Sequence, residues 1–179
     1  GGPMPTMMAG HSLGEYAALV AASALRLEDA VPLVRLRADA MQKAVPVGTG
    51  GMAAILGLDD DIVRKVCADA AEGEVVEAVN FNDPGQTVIA GSKAAVEAAS
   101  AAVKAAGAKR ALPLPVSAPF HSSLMQPAAE KLQAALAALE LAAPRIPVIN
   151  NIDVTVQTDA DAIRDALYRQ AFGPVRWVE

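Results

Sequence analysis

The chain has 179 residues, is 53% hydrophobic with only 3% aromatics, and carries a net charge of -5 at pH 7. That is enough apolar material for one packed domain, with or without a smaller inserted unit, and too much for a disordered chain. A mildly acidic balance without a basic stripe argues against nucleic acid, and no apolar run reaches membrane-spanning length. The single Cys67 excludes an internal disulfide and suits a reducing compartment, the cytoplasm being the expected one. It falls inside a helical pattern, so a buried structural thiol is expected, and the opening residues lack the regions of a signal peptide.

Met7 to Ala9 form a short apolar run that leads directly into Gly10-His11-Ser12-Leu13-Gly14. This is the G-x-S-x-G spacing of a nucleophile elbow, a sharp strand-to-helix turn that lifts a serine hydroxyl above the sheet edge. An ordinary glycine-flanked turn shares the spacing, so the rest of the chain has to discriminate. The helix that follows, Glu15 to Ala24, would aim its free amides at an oxyanion formed on a carbonyl attacked by Ser12. A second helix is predicted over Glu28 to Ala44, with Pro32 in its first turn and Pro46 just beyond its end. Its apolar stripe is Ala30, Leu33, Val34, Ala40, Met41 and Ala44, and Arg37 falls in the middle of it. A guanidinium on a buried face needs an anionic partner, either a ligand or a core carboxylate.

The glycine-rich Val47 to Gly51 opens a block with another rhythm. Strands over Met52 to Gly57, Val75 to Phe81, Gln86 to Gly91 and Lys109 to Val116 alternate with helices over Asp59 to Ala71 and Ser92 to Ala106. Asp83-Pro84-Gly85 supplies a tight turn. The order strand-helix-strand-strand-helix-strand is ferredoxin-like. Residues 47–116 are therefore expected to be an inserted subdomain that could roof a site on the main sheet, with residues 1–46 and 117–179 forming the core.

In the second core segment, Pro119-Phe120-His121-Ser122 leads into a long amphipathic helix ending near Leu141. Short strands are predicted over Pro147 to Asn150 and Val154 to Gln157, then a helix capped by Thr158 or Asp159 that runs to Phe172. Pro174 to Trp177 is strand-like. An elbow strand needs neighbours that ten preceding residues cannot supply, so a longer protein is expected.

Only two histidines are present. His11 adjoins Ser12 and its ring should point away from the hydroxyl. His121 is then the base by elimination, unless a lysine serves. No acidic residue stands in a suggestive position to hold the imidazole. A main-chain carbonyl at a helix end is the alternative, and Gln170 lies in the last turn of the final helix. Two histidines and one cysteine without ligand spacing leave a metal centre unsupported, and no glycine motif for phosphates follows a strand.

Gly10 to Leu19 resembles the active-site block of malonyl-CoA:acyl carrier protein transacylases. The resemblance continues through Arg37 with Met41-Gln42, Gly50 to Gly57, Val79 to Asn82 with Pro84 to Gln86, Pro113 to Met125, and Asn150-Asn151 to Trp177. It implies an α/β class fold, an α/β-hydrolase-like core with an inserted ferredoxin-like subdomain, and no cofactor, malonyl-CoA being a substrate. By position, Ser12 would be the nucleophile, His121 its base, the Gln170 main-chain carbonyl the group orienting that base, and the Leu13 N–H one oxyanion donor. Arg37 would hold the malonyl carboxylate in a bidentate pair, with Asn80, Phe120 and Met41 at the acyl or CoA site. Leu13 and Phe120 resemble malonyl-selective members.

The resemblance further implies transfer to the phosphopantetheine thiol of an acyl carrier protein in fatty-acid biosynthesis. A cytoplasmic protein, a monomer when full length, is expected, with neither nucleic acid nor membrane as partner. An acyltransferase domain of a polyketide synthase and a serine thioesterase or hydrolase are the alternatives; a non-catalytic docking module is a third. The family's N-terminal strands, with a glutamine that gives a second oxyanion donor, and its C-terminal Gly-Pro-Gly stretch have no counterpart in these residues.

Overall fold

The computed structural model describes residues 2–116 and 118–179, and the fold is mixed α/β. Residues 1 and 117, each the first of an expected core segment, lie outside the described residues. Strand β1 (Met8–Ala9) runs through the elbow into helix α1 (Leu13–Ala21), and α2 (Leu27–Gln42) follows. A central block comes next: β2 (Gly50–Leu56), α3 (Asp60–Ala70), β3 (Val76–Asp83), β4 (Gln86–Ser92), α4 (Lys93–Ala105) and β5 (Arg110–Pro113). A 3-10 turn, Ser123–Met125, then enters α5 (Gln126–Ala137), and β6 (Val148–Ile149) and α6 (Ala160–Gln170) complete the order.

Three- and four-residue spacing decides which helix faces turn inward. Tyr16 and Leu19 of α1, Leu33 of α2, Leu132 and Leu136 of α5, and Ile163 and Leu167 of α6 meet in one core beside Val148. There β6 pairs in parallel with β1, Met8 opposite Val148 and Ala9 opposite Ile149. This short ladder puts the end of β1, and so the elbow, next to Asn150 and Asn151.

The central block forms a four-stranded sheet in the order β3-β4-β2-β5, with neighbouring strands antiparallel. Period-two alternation sends Ala53, Ile55 and Ile89 toward α3 and α4. It sends Met52, Val88 and Ala90 to the opposite face, where they pack with Val79 and Phe120. Both helices of the block start at side-chain caps: Asp59 accepts from the Asp61 amide, and Ser92 from the Ala95 amide. Cys67 is buried in this unit, and burial pushes its thiol up to about 12, so it stays protonated and unreactive.

Several elements differ from their sequence patterns. Helix α2 begins at Leu27, so Pro32 lies in its second turn rather than its first; it sits on the solvent face, where the carbonyl that lacks an amide can meet water. Helix α5 stops at Ala137, because Arg164 reaches across from α6 to donate to the carbonyls of Leu136 and Leu139. Strand β5 stops at Pro113, since Pro113 and Pro115 bring no amides to the ladder. Residues 154–157 make only a single bridge, Val156 to Ile149, because Val154 turns into the left-handed region at φ 57.

Two devices tie the central block to the helical core. The Pro174 to Trp177 stretch leaves α6 and lies parallel along β3: the Val175 amide donates to Val79 at 2.8 Å and its carbonyl accepts from Phe81 at 2.9 Å. Glu77 of β3 accepts from the amide of Ser123 at 2.7 Å and from its hydroxyl at 2.8 Å, capping the 3-10 turn that enters α5. Among the described residues no helix is long and apolar enough to cross a membrane. Replacing Glu77 by Ala removes a helix-entry cap and should cost about 1 kcal/mol. Urea unfolding of the full-length protein should read that loss as a lower midpoint with an unchanged slope.

Candidate active site

The elbow is a strained turn whose two glycines have different duties. A side chain at Gly10 would place its Cβ 1.9 Å from the Gly14 carbonyl oxygen, so only glycine fits. A Cβ at Gly14 would meet nothing within 4 Å. Ser12 between them adopts φ 54, ψ -106, a conformation that residues with side chains rarely take. Side chains from distant segments hold it there. The Ser12 amide donates to Asn151 Oδ1 at 2.6 Å, and Asn151 Nδ2 donates to the Gly10 carbonyl at 2.9 Å. The Ser12 carbonyl accepts from Gln170 Nε2 at 3.0 Å and from the Glu15 amide at 3.1 Å.

Ser12 Oγ lies 2.8 Å from Nε2 of His121. The other ring nitrogen, Nδ1, lies 2.9 Å from the main-chain oxygen of Gln170. A carbonyl can only accept, so Nδ1 carries the hydrogen and Nε2 presents its lone pair to the hydroxyl. His121 is 5% exposed and holds φ 65, a second left-handed residue in the same site. Burial, and next the charge of Arg37, push its pKa down to about 4, so the ring is neutral near pH 7.

Arg37 projects from the buried face of α2 and is 6% exposed. Its Nη2 donates to Ser12 Oγ at 2.9 Å and to Gln170 Oε1 at 3.0 Å, and its plane lies 5.6 Å from the centre of the Tyr16 ring. Its Nε has no hydrogen-bond partner among the described residues. Among the described residues no carboxylate forms an ion pair with it. Desolvation accordingly lowers its pKa, and the charges of Tyr16 and Glu15 together with the Tyr16 hydroxyl act the other way.

Ser12, Arg37 and His121 line a cleft of about 630 Å³ that also takes in Met41, Met52, Asn80 and Phe120. Phe120 packs against both Met41 on the core side and Met52 on the sheet side. Asn80 stands beside a bulge in β3, nine-tenths buried, with its Nδ2 unpartnered. Leu13 exposes its side chain, and as the first residue of α1 its amide has no acceptor within the helix. His11 turns away from the hydroxyl: its Nε2 lies 2.8 Å from Asn82 Oδ1 and its ring tilts against Trp177 at 5.5 Å. Among the described residues no group of three or more His, Cys, Asp or Glu is placed to hold a metal ion.

Three contributions escaped the sequence reading. Asn151 pins both sides of the elbow, Glu15 lies 2% exposed beneath it, and Gln170 contributes its side chain as well as its carbonyl. A signal existed for Glu15, which shares the buried face of α1 with Ala18 and Leu19 at three- and four-residue spacing.

The acyl transferase domain family matches residues 1–176. The chain belongs to that family. It is 62% identical over all 179 residues to the malonyl CoA-acyl carrier protein transacylase of Salmonella typhimurium, of which it covers 58%. Among solved structures, it matches an acyl-carrier-protein S-malonyltransferase from Burkholderia pseudomallei at 67% identity and a TM-score of 0.97, covering 99% of this chain and 58% of that one. A malonyl-transacylase in complex with a type II PKS acyl-carrier protein matches at 55% identity and a TM-score of 0.97, over 99% of this chain and 57% of that one. The chain thus spans little more than half the length of these relatives.

Two outcomes follow from the site's geometry. In the full-length protein, Gly10→Ala should abolish folding or expression, whereas Gly14→Ala should keep the melting temperature within a few degrees; circular dichroism on both variants checks the asymmetry. The second concerns pH. His121 titrates near 4 when folded and near 6.5 when free, so the unfolded chain binds the extra proton between those values and stability falls as the pH drops through that window. Between pH 7 and pH 5 this group should remove about 2 kcal/mol. His121→Gln should lose that share of the slope in denaturant titrations at the two pH values.

Proposed function

We propose that the protein transfers a malonyl group from malonyl-CoA to the phosphopantetheine thiol of an acyl carrier protein, through a malonyl ester on Ser12, as a step of fatty-acid biosynthesis. The observation that carries this reading is Arg37, a buried guanidinium without a paired carboxylate, donating to the hydroxyl of the candidate nucleophile. A three-carbon acyl group bonded to Ser12 Oγ brings its distal carboxylate within reach of that guanidinium. Such a carboxylate restores the missing counter-charge, whereas a neutral acyl group leaves it missing.

The chemistry runs in two balanced halves. His121 Nε2 takes the Ser12 proton as Oγ attacks the thioester carbon, and the Leu13 amide is placed to meet the resulting oxyanion. The carbon–sulfur bond then breaks, and the departing CoA thiolate receives the proton from His121. In the second half the pantetheine thiol gives its proton to His121 and attacks the malonyl ester. The Ser12–acyl bond breaks, and the proton returns to Oγ. No cofactor enters this scheme.

For the fold we propose an α/β-hydrolase-like core, residues 1–46 and 117–179, with a ferredoxin-like insertion over residues 47–116. The sheet order β3-β4-β2-β5 with both helices on one face supports the insertion, and a strained serine between β1 and α1 supports the core. The names of the relatives agree with malonyl transfer. A thioesterase is disfavoured because His121 Nδ1 meets a carbonyl where such a hydrolase places a carboxylate.

Mass spectrometry of the full-length protein after brief exposure to malonyl-CoA should find the malonyl ester on Ser12, and none on a Ser12→Ala variant. Arg37→Ala should cut the preference for malonyl-CoA over acetyl-CoA by about 10²-fold, the scale set by truncating one partner of a buried charge pair. An unchanged preference would sink the assignment of Arg37, and an unmodified Ser12 the mechanism.

A further inference from the structure

Beneath the elbow the polar groups form a closed ring. Glu15 Oε2 accepts from the Asn151 amide at 2.9 Å and from Gln170 Nε2 at 2.8 Å. Asn151 and Gln170 in turn grip the amide and the carbonyl of Ser12, at 2.6 and 3.0 Å. The sense of every bond in this ring follows from chemistry. A main-chain N–H only donates, so Oε2 accepts from Asn151; the Ser12 main-chain oxygen only accepts, so the Gln170 atom facing it is the nitrogen, and the same nitrogen faces Oε2. At the far end Arg37 only donates, so what faces it must accept. Gln170 is the one side chain between them, and a primary amide satisfies both demands in a single orientation, Nε2 toward Glu15 and Oε1 toward Arg37.

We infer that Glu15 is a positioning residue for this site. Resting on the malonyl-transfer reading for its physiological substrate, it backs the amide sense of Gln170 that Arg37 and the Ser12 carbonyl require, anchors the Asn151 main chain, and so clamps the strained Ser12 backbone from both sides. It also explains how Arg37 is held without being occupied. A carboxylate placed directly on the guanidinium would compete with an acyl carboxylate. Glu15 instead acts through Gln170, which offers Arg37 one neutral acceptor and leaves its Nε unpartnered. Without an acceptor at position 15, two buried N–H groups lose their partner and the Gln170 amide loses one of the three contacts that hold it.

The test uses the full-length protein and two readouts. One is kcat and KM for malonyl-CoA and acetyl-CoA; the other is the rate at which a fluorophosphonate probe labels Ser12, which reads nucleophile geometry without any acyl specificity. Glu15→Leu should lower kcat for both thioesters and the labelling rate by about 10²-fold, the scale of a misplacement near 1 Å, with KM little changed. Glu15→Gln keeps an acceptor oxygen and should recover most of the loss. A folded Glu15→Leu protein with wild-type labelling and kcat overturns the inference, and so does a Glu15→Gln protein as impaired as Glu15→Leu. If Glu15→Leu does not fold, Gln170→Met takes its place, because it keeps the main-chain carbonyl for His121 and removes only the amide. It should slow labelling and narrow the malonyl preference, and wild-type values for both overturn the inference. A wild-type protein that is labelled by the probe but not malonylated refutes the substrate reading and leaves the role of Glu15 to be judged on labelling alone.

Discussion

Everything in the cleft is referred to one fully buried side chain at the end of α6. Gln170 gives its main-chain oxygen to His121 and its amide to Glu15, to the Ser12 carbonyl and to Arg37. These partners come from three separate parts of the chain, the elbow with α1, then α2, then the stretch before α5, up to 158 residues away in sequence. A helix end has carbonyls without intrahelical acceptance, which is why a base can be oriented there without a buried carboxylate. The packing of Ile163, Ala166 and Leu167 sets where that end lies, so core formation and site assembly are one event.

The electrostatics of the cleft hang on a charge left incomplete. A buried guanidinium lacking an ion pair is costly, and its field reaches the imidazole that shares Ser12 Oγ with it. Burial first, and that field next, hold the imidazole neutral, with its pKa near 4, less basic than a free imidazole. An anion seated beside Arg37 offsets the second-largest cause of that depression. Any anion at that position therefore makes the imidazole more basic.

The elements that could be read from sequence share one property: their signal is local. The elbow, the lone distant histidine, the arginine out of place on an apolar stripe and the glutamine in a last helical turn are each visible within a dozen residues. Asn151 is not, because its part depends on β6 lying beside β1, a pairing of two residues on each strand. Local pattern also overran the structure. The helical rhythm past Ala137 is real, but Arg164 takes the carbonyls there from another helix, and the extended rhythm of residues 154–157 is broken by the backbone of Val154. At Gly14 the motif suggested a steric need that the turn does not have; at Gly10 it understated one.

The stretch after α6 has a mechanical meaning. Between Gln170, whose carbonyl aims the base, and Val175, which is hydrogen-bonded into the edge of β3, only four residues intervene, two of them Gly173 and Pro174. Asn80 of β3 lines the cleft that holds Ser12, so that wall of the cleft and the carbonyl facing His121 hang from one short tether. Any shift of the sheet against the helical core is thereby felt at the imidazole, and the width of the cleft and the placement of the ring act as a single coordinate.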